Sequence, residues 1–262
     1  MMYWKGERQT TEPSSSKLVE ERLGPQRKLS LEQEFLLTLM KLRLGMVNGV
    51  LAWMFGVSPD LVSQIFFTWV RLVSLDLAFM IKWPSRVELR KNLPDVFRKY
   101  FPKCIAIVDC TEFFVETPSC LENQAMLWSE YKHHCTITPN GVINYVSDSY
   151  GGRCTDKYIV KDNGFLDRLR PGDYLMADRG FKIADLLAFR QCSLTIPPSA
   201  KSASQLSASD ARKTSRIANA RIYVENAIGR INNFKILKNE LPMTFLPIFD
   251  NILLTCCLLT NL

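Results

Sequence analysis

Ile105-Ala-Ile-Val-Asp-Cys-Thr-Glu112 is a run of four apolar residues that ends on a carboxylate. Three of the four are β-branched, and the run is strand-length with no polar alternation. Such a run reads as a strand covered on both faces. Asp109 then emerges at the strand end, where open α/β sheets bind their ligands. Tyr174-Leu-Met-Ala-Asp178 repeats the pattern. Val142-Ile-Asn-Tyr-Val146, bounded by Asn140-Gly141, and Leu194-Thr-Ile196, stopped by Pro197-Pro198, add two strands. Further on the period changes. Ile217, Ala220, Val224, Ala227, Ile228 and Ile231 recur at steps of three and four, which is a helix. It follows a Ser-, Ala- and Lys-rich loop over 199–213 and carries Glu225. Strands interleaved with helical pattern predict an α/β fold, a mixed sheet flanked by helices, over 104–262.

The first hundred residues read differently. Residues 1–29 are polar, with Ser-Ser-Ser at 14–16, and suit a flexible tail. Ser30-Leu-Glu-Gln33 is a capping box and should open a helix striped by Leu31, Phe35, Leu36, Leu39, Met40 and Leu42. Val50 to Ile65 reads as a helix-turn-helix: Gly56 makes the turn, Ser58 caps, and Pro59 takes the first helical position. Ala52, Val57, Leu61 and Ile65 would form its core, leaving Asp60, Ser63, Gln64 and Thr68 exposed on the second helix. In DNA readers that helix enters the major groove; an ordinary helical hairpin packed on the α/β domain fits the pattern equally well. The helical region spans 30–83, and 84–103, with Pro94, Pro102 and several basic residues, is a connector.

Composition narrows the function. The net charge of +7 favours an acidic partner, and a phosphate backbone is the commonest. Eight cysteines without a Cys-x-x-Cys pair, and two histidines that are adjacent, argue against a zinc finger and for a reducing compartment. The polar N-terminus is not a secretory signal. The apolar stretch Phe245–Leu262 contains Asp250 and Asn251 and reads as a buried helix rather than a membrane span.

Two strand-end aspartates, Asp109 and Asp178, with a helix-borne Glu225 form an oxygen-only donor set suited to Mg²⁺ or Mn²⁺. Two such ions can activate a nucleophile and stabilise a leaving oxygen on a phosphodiester. Each residue alone has a plainer reading: a cap, a turn former, or the partner of Arg221 one helical turn away.

Together with Tyr131-Lys-His-His134, Thr138-Pro-Asn-Gly141, Val146-Ser-Asp148, Gly151-Gly-Arg153, Ile196-Pro-Pro198 and Arg221-Ile-Tyr-Val-Glu-Asn-Ala-Ile-Gly-Arg230, these motifs resemble the Harbinger-type transposase-derived nucleases of the DDE superfamily. The likeness runs from about Asn48 to Leu262. It implies a ribonuclease H-like catalytic fold and a catalytic and metal-binding triad of Asp109, Asp178 and Glu225 holding a divalent cation, Mg²⁺ or Mn²⁺, in two copies. It also implies a DNA substrate, a nuclear location, and a lineage in which some members use a separate DNA-binding partner or oligomerise. Glu112 reads equally as a supporting carboxylate or a surface charge. Asp148 and Asp156 fit a loop better than a ligand set.

Lys132, His133, His134, Arg153, Lys157, Arg179, Arg212, Arg216, Arg221 and Arg230 lie in segments expected near the site, where they would contact phosphates. As neighbours in an extended chain, His133 and His134 should point to opposite sides and not share a metal. The chain departs from the family pattern in two places. About six residues are missing after Tyr-Lys-His-His, so Cys135–Thr138 is expected to form only a stub, leaving a softer sheet beside Asp109. Tyr223 and Asn226 stand where relatives often carry a histidine and a basic residue. A domesticated DNA- or partner-binding protein without catalysis is the rival reading.

Overall fold

The structure, a computed structural model, describes residues 27–116, 130–178, 180–196 and 208–262. Helix α1 (Leu31–Leu44) opens on the capping box, with the Ser30 hydroxyl accepting the Gln33 amide and the Gln33 side chain accepting the Ser30 amide. Its buried face is not the expected apolar stripe. Leu31 and Leu36 are exposed, whereas Glu34, Leu37, Thr38, Lys41 and Leu42 are buried. Periodicity missed this because two ionisable side chains face inward with partners. Glu34 accepts the Trp69 indole and pairs with Arg27; the Lys41 amine donates to the Met46 carbonyl and the Asn48 side chain.

Helix α2 (Asn48–Phe55) ends on Gly56 in the left-handed region, φ +64°. Ser58 caps α3 (Pro59–Asp76), and the two axes meet at 100°. This is the helix-turn-helix the sequence predicts, with a shifted core. Leu37, Leu51, Ala52, Val62 and Ile65 are its buried residues, and Val57 and Leu61 pack only at its rim. Asp60 and Gln64 are exposed, while the Ser63 hydroxyl is taken by Asn48. The opposite face of α3, through Phe66 and Val70, belongs to the main core. The connector holds two short helices, α4 (Arg86–Lys91) and α5 (Asp95–Tyr100).

The sheet runs β3-β2-β1-β5-β6, with β4 (Tyr150–Gly151) pairing β2. Strand β1 (Cys104–Phe114) pairs antiparallel with β2 (Glu130–Ile137), which pairs antiparallel with β3 (Ile143–Val146). On its other side β1 runs parallel to β5 (Tyr174–Ala177), and β5 to β6 (Ser193–Thr195). A mixed sheet with the longest strand between an antiparallel and a parallel half is the ribonuclease H-like arrangement. The expected defect is absent. Strand β2 pairs with β1 over eight residues, from Phe114↔Glu130 to Ile107↔Ile137, because Tyr131-Lys-His-His are themselves strand residues.

Helices cover both faces. On one lie α8 (Ala208–Ile231) and α10 (Phe249–Asn261), whose Ile217, Ala220, Ile231, Phe249 and Cys256 pack with Ile107 and Met176. On the other, α6 (Asp156–Asp162) and α7 (Ala184–Phe189) pack with Ala106, Val108, Leu175 and Ala177. Helix α8 begins at Ala208, so part of the expected loop is helical; 197–207 lie outside the described residues. The C-terminal apolar stretch is a core helix, as expected: Thr255 donates to the Val70 carbonyl, and Asn261 bonds both the amide and the carbonyl of Ile143. A single-turn helix, α9 (Lys235–Lys238), joins α8 to this C-terminal part.

Candidate active site

The parallel pairing of β1 and β5 fixes the first two carboxylates. Its last register pair is Val108↔Ala177, so Asp109 and Asp178 are the next residues on adjacent strands. Adjacent strands lie about 4.8 Å apart. Side chains alternate along a strand. Val108 and Ala177 face α6 and α7; Ile107 and Met176 face α8 and α10. Asp109 and Asp178 therefore share the α8 face. A direct contact agrees: Arg221 Nη1 of α8 donates to Asp178 Oδ1 at 2.9 Å.

Asp109 is half-buried. Loss of hydration is the largest influence on it and raises its pKa to about 6. The Cys110 amide and the Arg221 charge act the other way, and the Asp178 and Asp156 charges reinforce the rise. Its carboxylate accepts one backbone amide, from Cys110 at 2.9 Å. For this partly desolvated carboxylate the Arg221 charge and one backbone amide do not offset the loss of hydration and the two like charges. The donors are all oxygens, so their chemistry fits a hard divalent cation.

The triad is only partly assembled. Among the described residues no group of three His, Cys, Asp or Glu lies close enough to hold a metal ion. Glu225 is exposed on α8, one turn beyond Arg221, and so on the helix side that touches Asp178. Convergence of all three carboxyl groups, as the motif spacing suggests, is not formed. The Arg221 guanidinium stands against Asp178.

Glu112 does not join the site. It is three residues from Asp109, so the alternation of the strand sends it to the opposite face. There it pairs with its register partner Lys132 at 2.8 Å, which raises the Lys132 pKa. Sequence reading undervalued Asp156. It opens α6 beneath Thr155 and acts electrostatically on both Asp109 and Cys110. The Gly-Gly-Arg-Cys-Thr-Asp run looked like a plain loop, and only the packing of α6 beside β1 brings it near.

The expected phosphate contacts divide. His133 and His134 point to opposite faces, yet both are fully buried, and the Asp250 carboxylate lies 3.8 Å from His133 Nε2. His133 packs on Phe113 and Phe249 with Nδ1 at 3.1 Å from the Ser147 carbonyl. His134 packs on Phe165 and Tyr145, and burial lowers its pKa to about 3. Both are core histidines, which corrects the phosphate assignment. Lys157 pairs with Asp185 at 2.5 Å, and Arg230 Nη2 donates to the Gly141 carbonyl at 2.7 Å. Arg221 adjoins the carboxylates, while Arg216 lies over the Tyr100 ring, 4.6 Å from its centroid. Arg153 and Arg212 are exposed; Arg179 lies outside the described residues.

Residues 108–261 match the family model for the DDE superfamily endonuclease, and residues 27–79 match that for the helix-turn-helix of DDE superfamily endonuclease. The first match covers more than half of the chain and contains Asp109, Asp178 and Glu225, and the chain belongs to the DDE superfamily endonucleases. Among solved structures, the crystal structure of a pre-cleavage Mos1 transpososome is similar at 12% identity, covering 92% of this chain and 78% of that chain, with a TM-score of 0.22. No curated protein matches the sequence.

Proposed function

We propose that this chain is a divalent-metal-dependent DNA endonuclease of the Harbinger-type transposase lineage, acting in the nucleus. The observation that carries the reading is the side-by-side placement of Asp109 and Asp178 at the end of the β1–β5 pair, facing the helix that bears Glu225. Asp109 and Asp178 would hold Mg²⁺ or Mn²⁺, with Glu225 completing the ligand set. A pair of such ions, held there, would supply activation of water or a DNA 3′-hydroxyl and charge stabilisation at the leaving oxygen of a phosphodiester. No protein nucleophile is needed.

Arg221 has two partners in this scheme. Without a cation it neutralises Asp178; with the carboxylate committed to metal, its guanidinium is free to take a substrate phosphate, for which its planar fork is suited. Arg153, Arg212 and Arg216 supply further backbone contacts, and the helix-turn-helix positions the duplex. A separate DNA-binding partner, or a second copy of the chain, would complete the assembly.

The test is nicking or linearisation of supercoiled plasmid by the purified chain with Mn²⁺, Mg²⁺ or EDTA. Metal-dependent cleavage that Asp178→Asn removes supports the reading. DNA binding without cleavage under every metal condition would establish the rival: a DNA-binding protein of transposase ancestry without catalysis.

A further inference from the structure

The chain's positive charge is unevenly placed. The 22 residues from Lys82 to Lys103 hold seven lysines and arginines against two acids, an excess of five in a chain of net charge +7. This is the connector of α4 and α5, which adds only Leu89, Leu93 and Phe97 to the buried core. Little of its charge is neutralised. Arg86 pairs with Asp173, and Arg98 with Asp95 at 3.0 Å. The Glu88 side chain is committed to the Ser85 amide as a cap. Arg90, Lys91, Lys99 and Lys103 are exposed and, among the described residues, make no ion pair.

A run of solvated cations is common on protein surfaces; its position sets this one apart. Helix α5 packs against α8, with Phe97 edge-on to Tyr223 at 5.9 Å. Tyr100 lies under the Arg216 guanidinium and beside Lys99. Arg216 precedes Arg221 by five residues, roughly 7–8 Å along the helix, and Arg221 touches Asp178. Helix α8 thus carries one cation against α5, Arg216 on the Tyr100 ring, and one against the carboxylates, Arg221 on Asp178. On either side of α5 in the chain, Arg90 and Lys103 line a cleft of about 150 Å³ with Leu89, Leu93, Ile105 and the Arg86–Asp173 pair. Tyr223, a departure from the family pattern, seats α5 on α8.

We propose that the α4–α5 face is a second contact surface for the phosphate backbone of duplex DNA. It engages the duplex to one side of the stretch that carries the reacting phosphate. The inference rests on the proposed DNA-cleaving function. It adds where the flanking duplex lies and which residues set its affinity. Contacts of this kind position the duplex and carry no sequence information.

The test is a salt series of binding to a 40-base-pair duplex, without metal, by fluorescence anisotropy. The full chain is compared with the Arg90→Gln/Lys99→Gln/Lys103→Gln variant. Each lost phosphate contact reduces the slope of log affinity against log salt by about 0.9. The variant is expected to lose about 3 from that slope and at least about tenfold in affinity at low salt. A Lys235→Gln/Lys238→Gln control removes similar charge from α9 and should leave the slope unchanged. Equal slopes for wild type and triple variant would overturn the inference while leaving the cleavage reading intact. Failure of the wild type to bind any duplex would instead overturn the cleavage reading. A variant-free measurement covers the case of misfolding: duplex DNA should shield Lys99 and Lys103 of the wild type from an amine-acylating reagent. Undiminished acylation at both would count against the surface.

Discussion

Two regions among the described residues take charge out of water, and they treat it in opposite ways. In the helical region Glu34 and Lys41 are almost fully buried, and each has partners: the Trp69 indole and Arg27 for one, Met46 and Asn48 for the other. Lys41 also lies 5.4 Å from the centroids of the Phe66 and Phe245 rings. Where the parallel pairing ends, Asp109 receives one backbone amide and feels Arg221, but desolvation and the like charges of Asp178 and Asp156 outweigh them. Buried charge that is satisfied serves the fold. Buried charge held close to like charge costs stability and marks a place prepared for a cation. The difference makes Asp109, rather than Glu34 or Lys41, the candidate for a functional role.

The sharpest way to break this comparison is Asp109→Asn. Supporting residues around metal ligands are worth about 10–100-fold, so loss of a ligand should lower Mn²⁺-dependent plasmid cleavage by more than about 100-fold. The same change should raise the melting midpoint at pH 7. A carboxyl whose pKa is raised to about 6 on folding favours the folded state below its unfolded value, and that contribution is lost as pH rises through about 6. The stability gain of the variant should therefore vanish below about pH 4. A variant that melts earlier than wild type at pH 7 would show that Asp109 is structural.

Glu34→Ala is the counterpart in the helical region. It strands the Trp69 indole and removes the partner of Arg27, at a cost of about 3 kcal/mol. Chemical denaturation would detect it, and a loss below about 1 kcal/mol would remove the contrast. Third, protons should compete with metal at Asp109. The Mn²⁺ affinity, measured by calorimetry, should fall about tenfold per pH unit below pH 6; a flat profile between pH 5 and 7 would place the metal elsewhere. The smallest effect is expected for Glu112→Gln, with cleavage within about threefold of wild type. Its side chain lies on the opposite face of β1, paired with Lys132 in an exposed bridge worth under about 1 kcal/mol. A large loss of cleavage would return Glu112 to the site.

Much of the fold was legible because its signals are local. The capping box at Ser30, the Gly56 turn with Ser58-Pro59, and the apolar runs at 105–108 and 174–177 each depend on a few neighbouring residues. Strand β2 was not legible. Tyr-Lys-His-His has no apolar alternation, and its histidines are buried by rings that arrive from distant segments: Phe249 on one face, Phe165 and Tyr145 on the other. The same cause hid the true inner face of α1, where a carboxylate and an amine replace the expected leucines.

The sequence by itself singled out the candidate carboxylates, because an apolar run that stops at a carboxylate marks a buried strand segment and the first polar group beyond it; β1 itself continues past Asp109 to Phe114, and only its parallel pairing with β5 ends there. Tertiary structure decided who meets whom. The Val108↔Ala177 register sets Asp109 beside Asp178, strand alternation turns Glu112 away, and the packing of α8 presents Arg221, with Glu225 one turn behind it, to the pair. The basic connector is placed in the same way, by α5 resting on α8. These relations join residues far apart in the chain. They are set by pairing and packing summed over the whole domain, and no window of the sequence contains them.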